Sequence, residues 1–260
     1  MIDEKPYSRL TILLKYLRYY FSSKGKHSVH SPLVFDFINQ VVNVAHNAIN
    51  PSAEYERKRL ESSQKTIDFI DFGKSGKTYQ KKIKSIAKNS LKSRKYAQLL
   101  GKIVQHLKPK RIIELGTSLG VTTSYLAYDK SVSVTTLEGS EQVAQEAQQV
   151  WKNLKLSQIK CITGDFNHTL NEVAKESFDL VYIDGNHRCE PTLAYFDTLT
   201  KNSHKKTIFI FDDIHYSPSM EKAWKQIKNR PEVSITIDLF FIGIVWIDPS
   251  LSKENFVLRY

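Results

Sequence analysis

The chain predicts an α/β fold: a doubly wound, mostly parallel seven-stranded sheet with a C-terminal antiparallel hairpin, plus an N-terminal helical extension. Three observations point there. After Pro109, short β-branched runs alternate with helical stretches at the spacing of crossover units. The last two runs, 234–239 and 241–247, stand close enough to pair as a hairpin, which puts one antiparallel strand into the sheet. Before residue 90 the pattern is different, with apolar residues recurring at three- and four-residue spacing.

Each element has its own signal. Leu10, Leu13, Leu14, Leu17 and Phe21 mark an amphipathic helix, with Lys15 and Arg18 elsewhere on its wheel and Gly25 as its stop. Ser31-Pro32 is a good start for a second helix, which Asn50-Pro51 ends. Residues 51–78 read as polar and irregular, and basic helices follow at 79–89 and 93–107. Strands are expected at 111–115, 132–137, 159–163, 178–183 and 207–211. Helices are expected at 122–128, 141–154, 191–200 and 219–228. The organisation is then a helical extension over 1–90 and a sheet domain over 91–260.

Composition excludes several classes. An apolar fraction of 41% and a charged fraction of 25% are those of an ordinary folded domain. Two cysteines, Cys161 and Cys189, make no disulfide framework and fit a reducing compartment. No apolar run reaches bilayer length, and the first residues are acidic where a signal peptide is basic, so a cytoplasmic protein is expected. The net charge of +11 is uneven: residues 51–111 hold 17 Lys+Arg against 5 Asp+Glu, a net +12. The plain reading of that excess is a solvated lysine-rich face.

Ligands of open α/β sheets bind at the carboxyl ends of the strands. The first strand ends Glu114-Leu115-Gly116-Thr117-Ser118-Leu119-Gly120. Ser118 stands where a nicotinamide-binding turn has its second glycine, and Glu114 would repel a pyrophosphate but suits an ammonium group. The second strand ends Glu138-Gly139, with Glu138 placed for ribose hydroxyls. The third ends Gly164-Asp165-Phe166, where Asp165 suits an adenine amino group and Phe166 a ring stack. One decoy is set aside: Gly73–Thr78 contains Gly-Lys-Thr, but Asp71 occupies the position of the first glycine of a phosphate loop.

Together, Glu114-x-Gly116-x-x-x-Gly120, Glu138 and Asp165 resemble the class I S-adenosylmethionine-dependent methyltransferases in order and spacing, over residues 90–260. That resemblance implies S-adenosyl-L-methionine as cofactor. Glu114, Gly116, Thr117, Ser118, Gly120, Glu138, Gly139, Asp165, Phe166 and Asp184 would then bind it. It also draws attention to residues 90–95 as a contact for the methionine carboxylate.

The fourth and fifth strands end Asp184-Gly185-Asn186-His187 and Asp212-Asp213-Ile214-His215. Converging carboxylates repel unless a cation joins them, and an all-oxygen set selects Mg2+ or a similar hard ion. Asp184, Asp212 and Asp213 are the expected metal ligands. A metal-bound hydroxyl loses its proton readily, and His187, three residues after Asp184, is the expected general base beside Asp184. This second set is similar to metal-dependent O-methyltransferases of the catechol type and, more so, to macrolide sugar O-methyltransferases. The implied reaction is methyl transfer to a hydroxyl of a small molecule, sugar or lipid precursor. The alternatives are a metal-independent methyltransferase, an RNA methyltransferase, and a cofactor-binding protein without catalysis. No RNA-binding module or Asn/Asp-Pro-Pro-Tyr motif is present, which disfavours nucleic acid as partner.

Asn186 and His215 are expected to shape the pocket or hold His187. His27 and His30 read as a turn, because no third ligand lies near them. Trp224 and Trp246 fit the core. Tyr7, Tyr16, Tyr19, Tyr20 and Phe21 would line a lid over the acceptor or, with Lys15, Arg18, Lys24 and Lys26, meet an anionic membrane. Packing of the extension on the core or on a second copy of the chain is the favoured expectation, since apolar stripes usually face a core.

Overall fold

A computed structural model of the chain describes residues 5–23, 29–44, 50–70 and 77–260. Lys24, Gly25, Lys26, His27 and residues 73–76 lie outside the described residues. The chain forms two compact units, one of residues 1–38 with 174–260 and one of residues 39–173. Residues 1–90 are therefore shared between both.

The first unit begins with α1 (Arg9–Ser22), capped by Ser8, whose hydroxyl accepts the Thr11 N–H at 3.1 Å. Then α2 (Pro32–Phe37), with proline in its first turn, runs into a π turn at Ile38–Val42. The second unit continues with α3 (Pro51–Ser62), β1 (Thr66–Ile70), β2 (Thr78–Lys82), α4 (Ile83–Ser90) and α5 (Arg94–Leu107). It goes on through β3 (Arg111–Leu115), α6 (Val121–Leu126), β4 (Ser133–Glu138), α7 (Glu141–Asn153), β5 (Ile159–Thr163) and α8 (Phe166–Val173). The first unit resumes with β6 (Leu180–Ile183), α9 (Cys189–Thr200), β7 (Ile208–Asp212), α10 (Pro218–Asn229), β8 (Ile235–Asp238), β9 (Ile242–Trp246) and β10 (Glu254–Val257).

The main sheet has eight strands. In the second unit β3, β4 and β5 run parallel, with Glu114 opposite Thr136 and Glu138 opposite Thr163. In the first unit β6 and β7 are parallel, and β9 pairs antiparallel with both β7 and β8. The expected terminal hairpin is thus β8 and β9. The eighth strand is β10, which runs parallel to β8. It is four residues long and half exposed, too short to leave an alternating pattern.

Residues 51–78, read as irregular, hold α3 and β1, which pairs antiparallel with β2. Asn50 starts α3 rather than ending α2: its Oδ1 accepts the Ala53 N–H at 3.0 Å, with Pro51 in the first turn. The apolar stripe of α3 is thin, Ala53 and Leu60, because its buried face also carries Glu56 and Arg57. These are neutralised within the helix by the pairs Arg57–Glu54 and Arg59–Glu56. Charge pairing hid the period from the sequence.

α1 also departs from expectation. Its leucine stripe does not face the core: Leu10, Leu13, Leu14, Leu17 and Phe21 are exposed, and Tyr19 is the buried residue. The inward face is polar-aromatic. The Tyr7 hydroxyl donates to Glu221 Oε2 at 2.8 Å, Lys15 Nζ donates to the same carboxylate at 3.0 Å, and the Tyr19 hydroxyl donates to the Leu258 carbonyl. Trp224 and Trp246 are buried as expected.

The turn into α6 rests on Gly120. Its φ of +75° lies in the left-handed region, and a Cβ there would stand 2.7 Å from Trp151 Nε1 and 2.8 Å from Ala147 Cβ on α7. The Trp151 indole N–H donates to the Gly120 carbonyl at 2.9 Å, so the two helices are fixed by that close approach. Gly120→Ala adds left-handed strain to overpacking and should destabilise the protein by about 2–4 kcal/mol, read as a drop in the denaturant midpoint.

Candidate functional site

The residues singled out by sequence fall into two groups, one in each unit. In the second unit, parallel pairing sets the ends of β3, β4 and β5 side by side. Glu114 is fully buried, and its Oε2 accepts from the Thr123 hydroxyl at 2.6 Å and the Thr136 hydroxyl at 2.7 Å. Its Oε1 is buried with no hydrogen-bond partner. Burial pushes this carboxyl up to about 8, against the pull of the two threonines.

The loop after β3 bends through Gly116 at φ 104° and Ser118 at φ 49°. The Gly116 and Thr117 N–H groups both donate to the Leu137 carbonyl, at 3.0 and 3.2 Å. Glu138 is clamped from two sides: Oε2 accepts the Ser118 N–H at 2.8 Å and Oε1 the Ser140 N–H at 2.9 Å. Burial nevertheless lifts its carboxyl to about 7. The Ser118 hydroxyl oxygen is buried without a partner. Gly139 links Glu138 to Ser140 in the chain. Asp165 starts α8, its Oδ1 accepting the Asn167 N–H at 2.9 Å, and Phe166 beside it is half-buried. Earlier in the same unit, Ser93 precedes α5, and burial lowers the pKa of Lys95 in its first turn.

In the first unit, Asp184, His187 and Asp212 form one group: each offers a ligand atom, and these atoms lie within 4.8 Å of one another. Asp184 Oδ2 accepts from the Tyr182 hydroxyl at 3.0 Å, and its Oδ1 stands 3.4 Å from His187 Nε2. The His187 ring lies 5.6 Å from that of Tyr216. Asp213, expected among the ligands, is not part of that group. Its backbone is left-handed at φ 52°, and its N–H is tied to the Phe241 carbonyl at 2.6 Å. Asn186 and His187 are left-handed too, at φ 65° and 27°.

The structure gives His215 another partner set than His187. Its Nδ1 bonds Glu221 Oε1 and its Nε2 bonds Asp238 Oδ2, both at 2.9 Å. Burial would depress the imidazole, but those two carboxylates outweigh it and lift it to about 9, so His215 is a cation donating on both sides. It joins α10 to β8. Asn186 donates to the Tyr195 hydroxyl at 3.5 Å.

Thr123 and Thr136, which hold Glu114, and Tyr182, which holds Asp184, escaped the sequence reading. Their neighbours in space are separated along the chain or share no motif with them.

Residues 113–214 match the family model of a methyltransferase domain. That stretch, less than half of the chain, is similar to a methyltransferase domain. No curated protein matches. Solved structures share the fold at low identity. The SAH-bound methyltransferase PaMTH1 of Podospora anserina is 16% identical with a TM-score of 0.58, covering 95% of this chain and 100% of its own. The O-methyltransferase of Bacillus cereus, in complex with SAH, is 20% identical with a TM-score of 0.55, covering 82% and 97%. TomG, the O-methyltransferase of Streptomyces achromogenes involved in tomaymycin synthesis and solved with SAM, is 14% identical at 0.54, covering 82% and 94%.

Glu114 makes stability depend on pH with a definite sign. An unfolded carboxyl titrates near 4.5 and the folded one near about 8, so the folded chain holds a proton that unfolding releases between those values. Stability contributed by this group falls as pH climbs through that window and is flat on either side. Glu114→Gln keeps the shape and the neutral state. In denaturant unfolding, its loss of stability between about pH 5 and about pH 8 should be smaller than the parent's.

Proposed function

We propose that the chain is an S-adenosylmethionine-dependent O-methyltransferase acting on a hydroxyl of a small molecule, sugar or lipid precursor. A divalent cation would sit at Asp184 and Asp212, and His187 would act as general base. The observation that carries this reading is the cluster of Asp184, His187 and Asp212 at strand ends, within the stretch that matches a methyltransferase-domain model. The SAM- and SAH-bound neighbours support the choice of donor.

S-adenosylmethionine brings a methyl group already activated on a sulfonium sulfur. The second unit's residues suit it. Glu114 Oε1 and the Ser118 hydroxyl are buried polar atoms in need of partners, which the amino and carboxylate groups of the methionine end would provide. An ammonium group beside Glu114 would also favour its carboxylate form. Glu138, held by two backbone N–H groups, keeps lone pairs for ribose hydroxyls. Asp165 and Phe166 remain assigned to the adenine.

On the acceptor side, a hard cation lowers the pKa of a hydroxyl that binds it. The carboxylates of Asp184 and Asp212 are oxygen donors of the kind that suits Mg2+ or Mn2+. His187 Nε2 lies beside Asp184 Oδ1, so the carboxylate would steady the imidazolium formed when the ring takes the acceptor's proton. Tyr182 donates to the other oxygen of Asp184 and holds it in that orientation. The common proximity of all three ligand atoms favours one second reading, in which His187 is itself a ligand.

Turnover of S-adenosylmethionine against a panel of hydroxylated acceptors should stop on chelation and return with Mg2+ or Mn2+. His187→Ala should lower turnover by roughly 100-fold or more while cofactor affinity, read by calorimetry, stays at the parent's value. If the variant also loses metal affinity, His187 is a ligand rather than the base. Turnover indifferent to chelation removes the cation, and an absence of cofactor binding removes the methyltransferase reading altogether.

A further inference from the structure

We propose that α1 binds in the plane of an anionic membrane surface, its leucine stripe entering the boundary between headgroups and acyl chains. The stripe is continuous. Leu10, Leu13, Leu14, Leu17 and Phe21 fall on one face at helical spacing and are 42–78% exposed. An apolar face of this size on a surface helix marks an interaction site rather than scattered exposure.

The helix cannot turn this face inward. Its opposite face is held by Tyr7 and Lys15 on Glu221, by the Tyr7 N–H on the Tyr216 carbonyl at 2.9 Å, and by Tyr19 on the Leu258 carbonyl. At its C-terminal end, Arg259 donates to the Tyr20 carbonyl at 2.9 Å and lies 4.3 Å from the Tyr20 ring. Rolling α1 over would break all of these at once.

Charge decides the occupant. Arg9 and Arg18 flank the stripe on its two sides and are both exposed, and α1 contains no acidic residue. Two copies meeting stripe to stripe would bring arginine rims together without a carboxylate on either helix to offset them. A surface of anionic phosphates offsets both rims and receives the apolar side chains between them. The whole chain carries +11, which adds attraction at longer range. This inference stands apart from the methyl-transfer reading.

Co-sedimentation of the full chain with vesicles tests it. The protein should pellet with phosphatidylcholine vesicles containing phosphatidylglycerol, remain in solution with phosphatidylcholine alone, and be released by salt. Leu13→Gln with Leu17→Gln should reduce pelleting to background while circular dichroism matches the parent. Arg9→Gln with Arg18→Gln, both at exposed positions, should weaken partitioning roughly thirty-fold. Failure to pellet with anionic vesicles overturns the proposal, as does equal pelleting with neutral ones. A dimer in gel filtration that the leucine variant converts to monomer, without vesicle binding, would assign the stripe to a second copy.

Discussion

A parallel strand buried on both faces must reverse direction within a few residues of its end, and this chain makes that turn with left-handed backbone. Among the described residues, seven other than glycine have positive φ, and four of them, Ser118, Asn186, His187 and Asp213, sit after strands β3, β6 and β7. Each such residue costs of order 1–3 kcal/mol, so the surroundings have to hold it. They do: Glu138 takes the Ser118 N–H, the Phe241 carbonyl takes the Asp213 N–H, and the Asp213 carbonyl in turn takes the Tyr216 N–H.

The carboxylates at these ends are kept in two different ways. Glu114 is buried where ionisation is costly, and two threonine hydroxyls satisfy one oxygen only. Burial keeps it in the neutral form below about pH 8. Asp184, by contrast, has a tyrosine hydroxyl on one oxygen and an imidazole near the other. Glu221 takes His215, Lys15 and Tyr7. Burial pushes its carboxyl up, and those three partners overcome that and hold it down at about 2. Cationic side chains of the first unit are thus committed to fixing α1, α10 and β8 together.

The parallel-sheet core was legible because strand residues there are apolar on both faces and β-branched, and because turns carry glycine at defined steps. That Glu114, Glu138, Asp184 and Asp212 stand at strand ends was legible from the lengths of the apolar runs before them. What sequence could not reveal were pairings across elements. Thr136 reaches Glu114 only after β3 and β4 pair, Thr123 only after α6 folds back on β3, and His215 finds Asp238 twenty-three residues away. The left-handed backbone of Asp213, with its N–H on the Phe241 carbonyl, has the same origin. α3 was hidden for a different reason, since a helix whose buried face carries ion pairs shows no apolar period.

The orientation of α1 follows from a limit of periodicity itself. A period of 3.6 identifies an amphipathic helix and assumes that the greasier face is the inner one. In α1 both faces can be buried. One carries leucines and needs only the absence of water. The other carries tyrosine hydroxyls and a lysine, which need partners as well as cover. Glu221 and the carbonyl of Leu258 offer those partners, and Phe240 stands edge-on to Tyr16 with centroids 5.2 Å apart. Aromatic rings with satisfied hydroxyls bury as much apolar area as leucines do and gain directional bonds besides. The tyrosine face therefore takes the protein side, and the leucines are left to whatever apolar medium the protein meets.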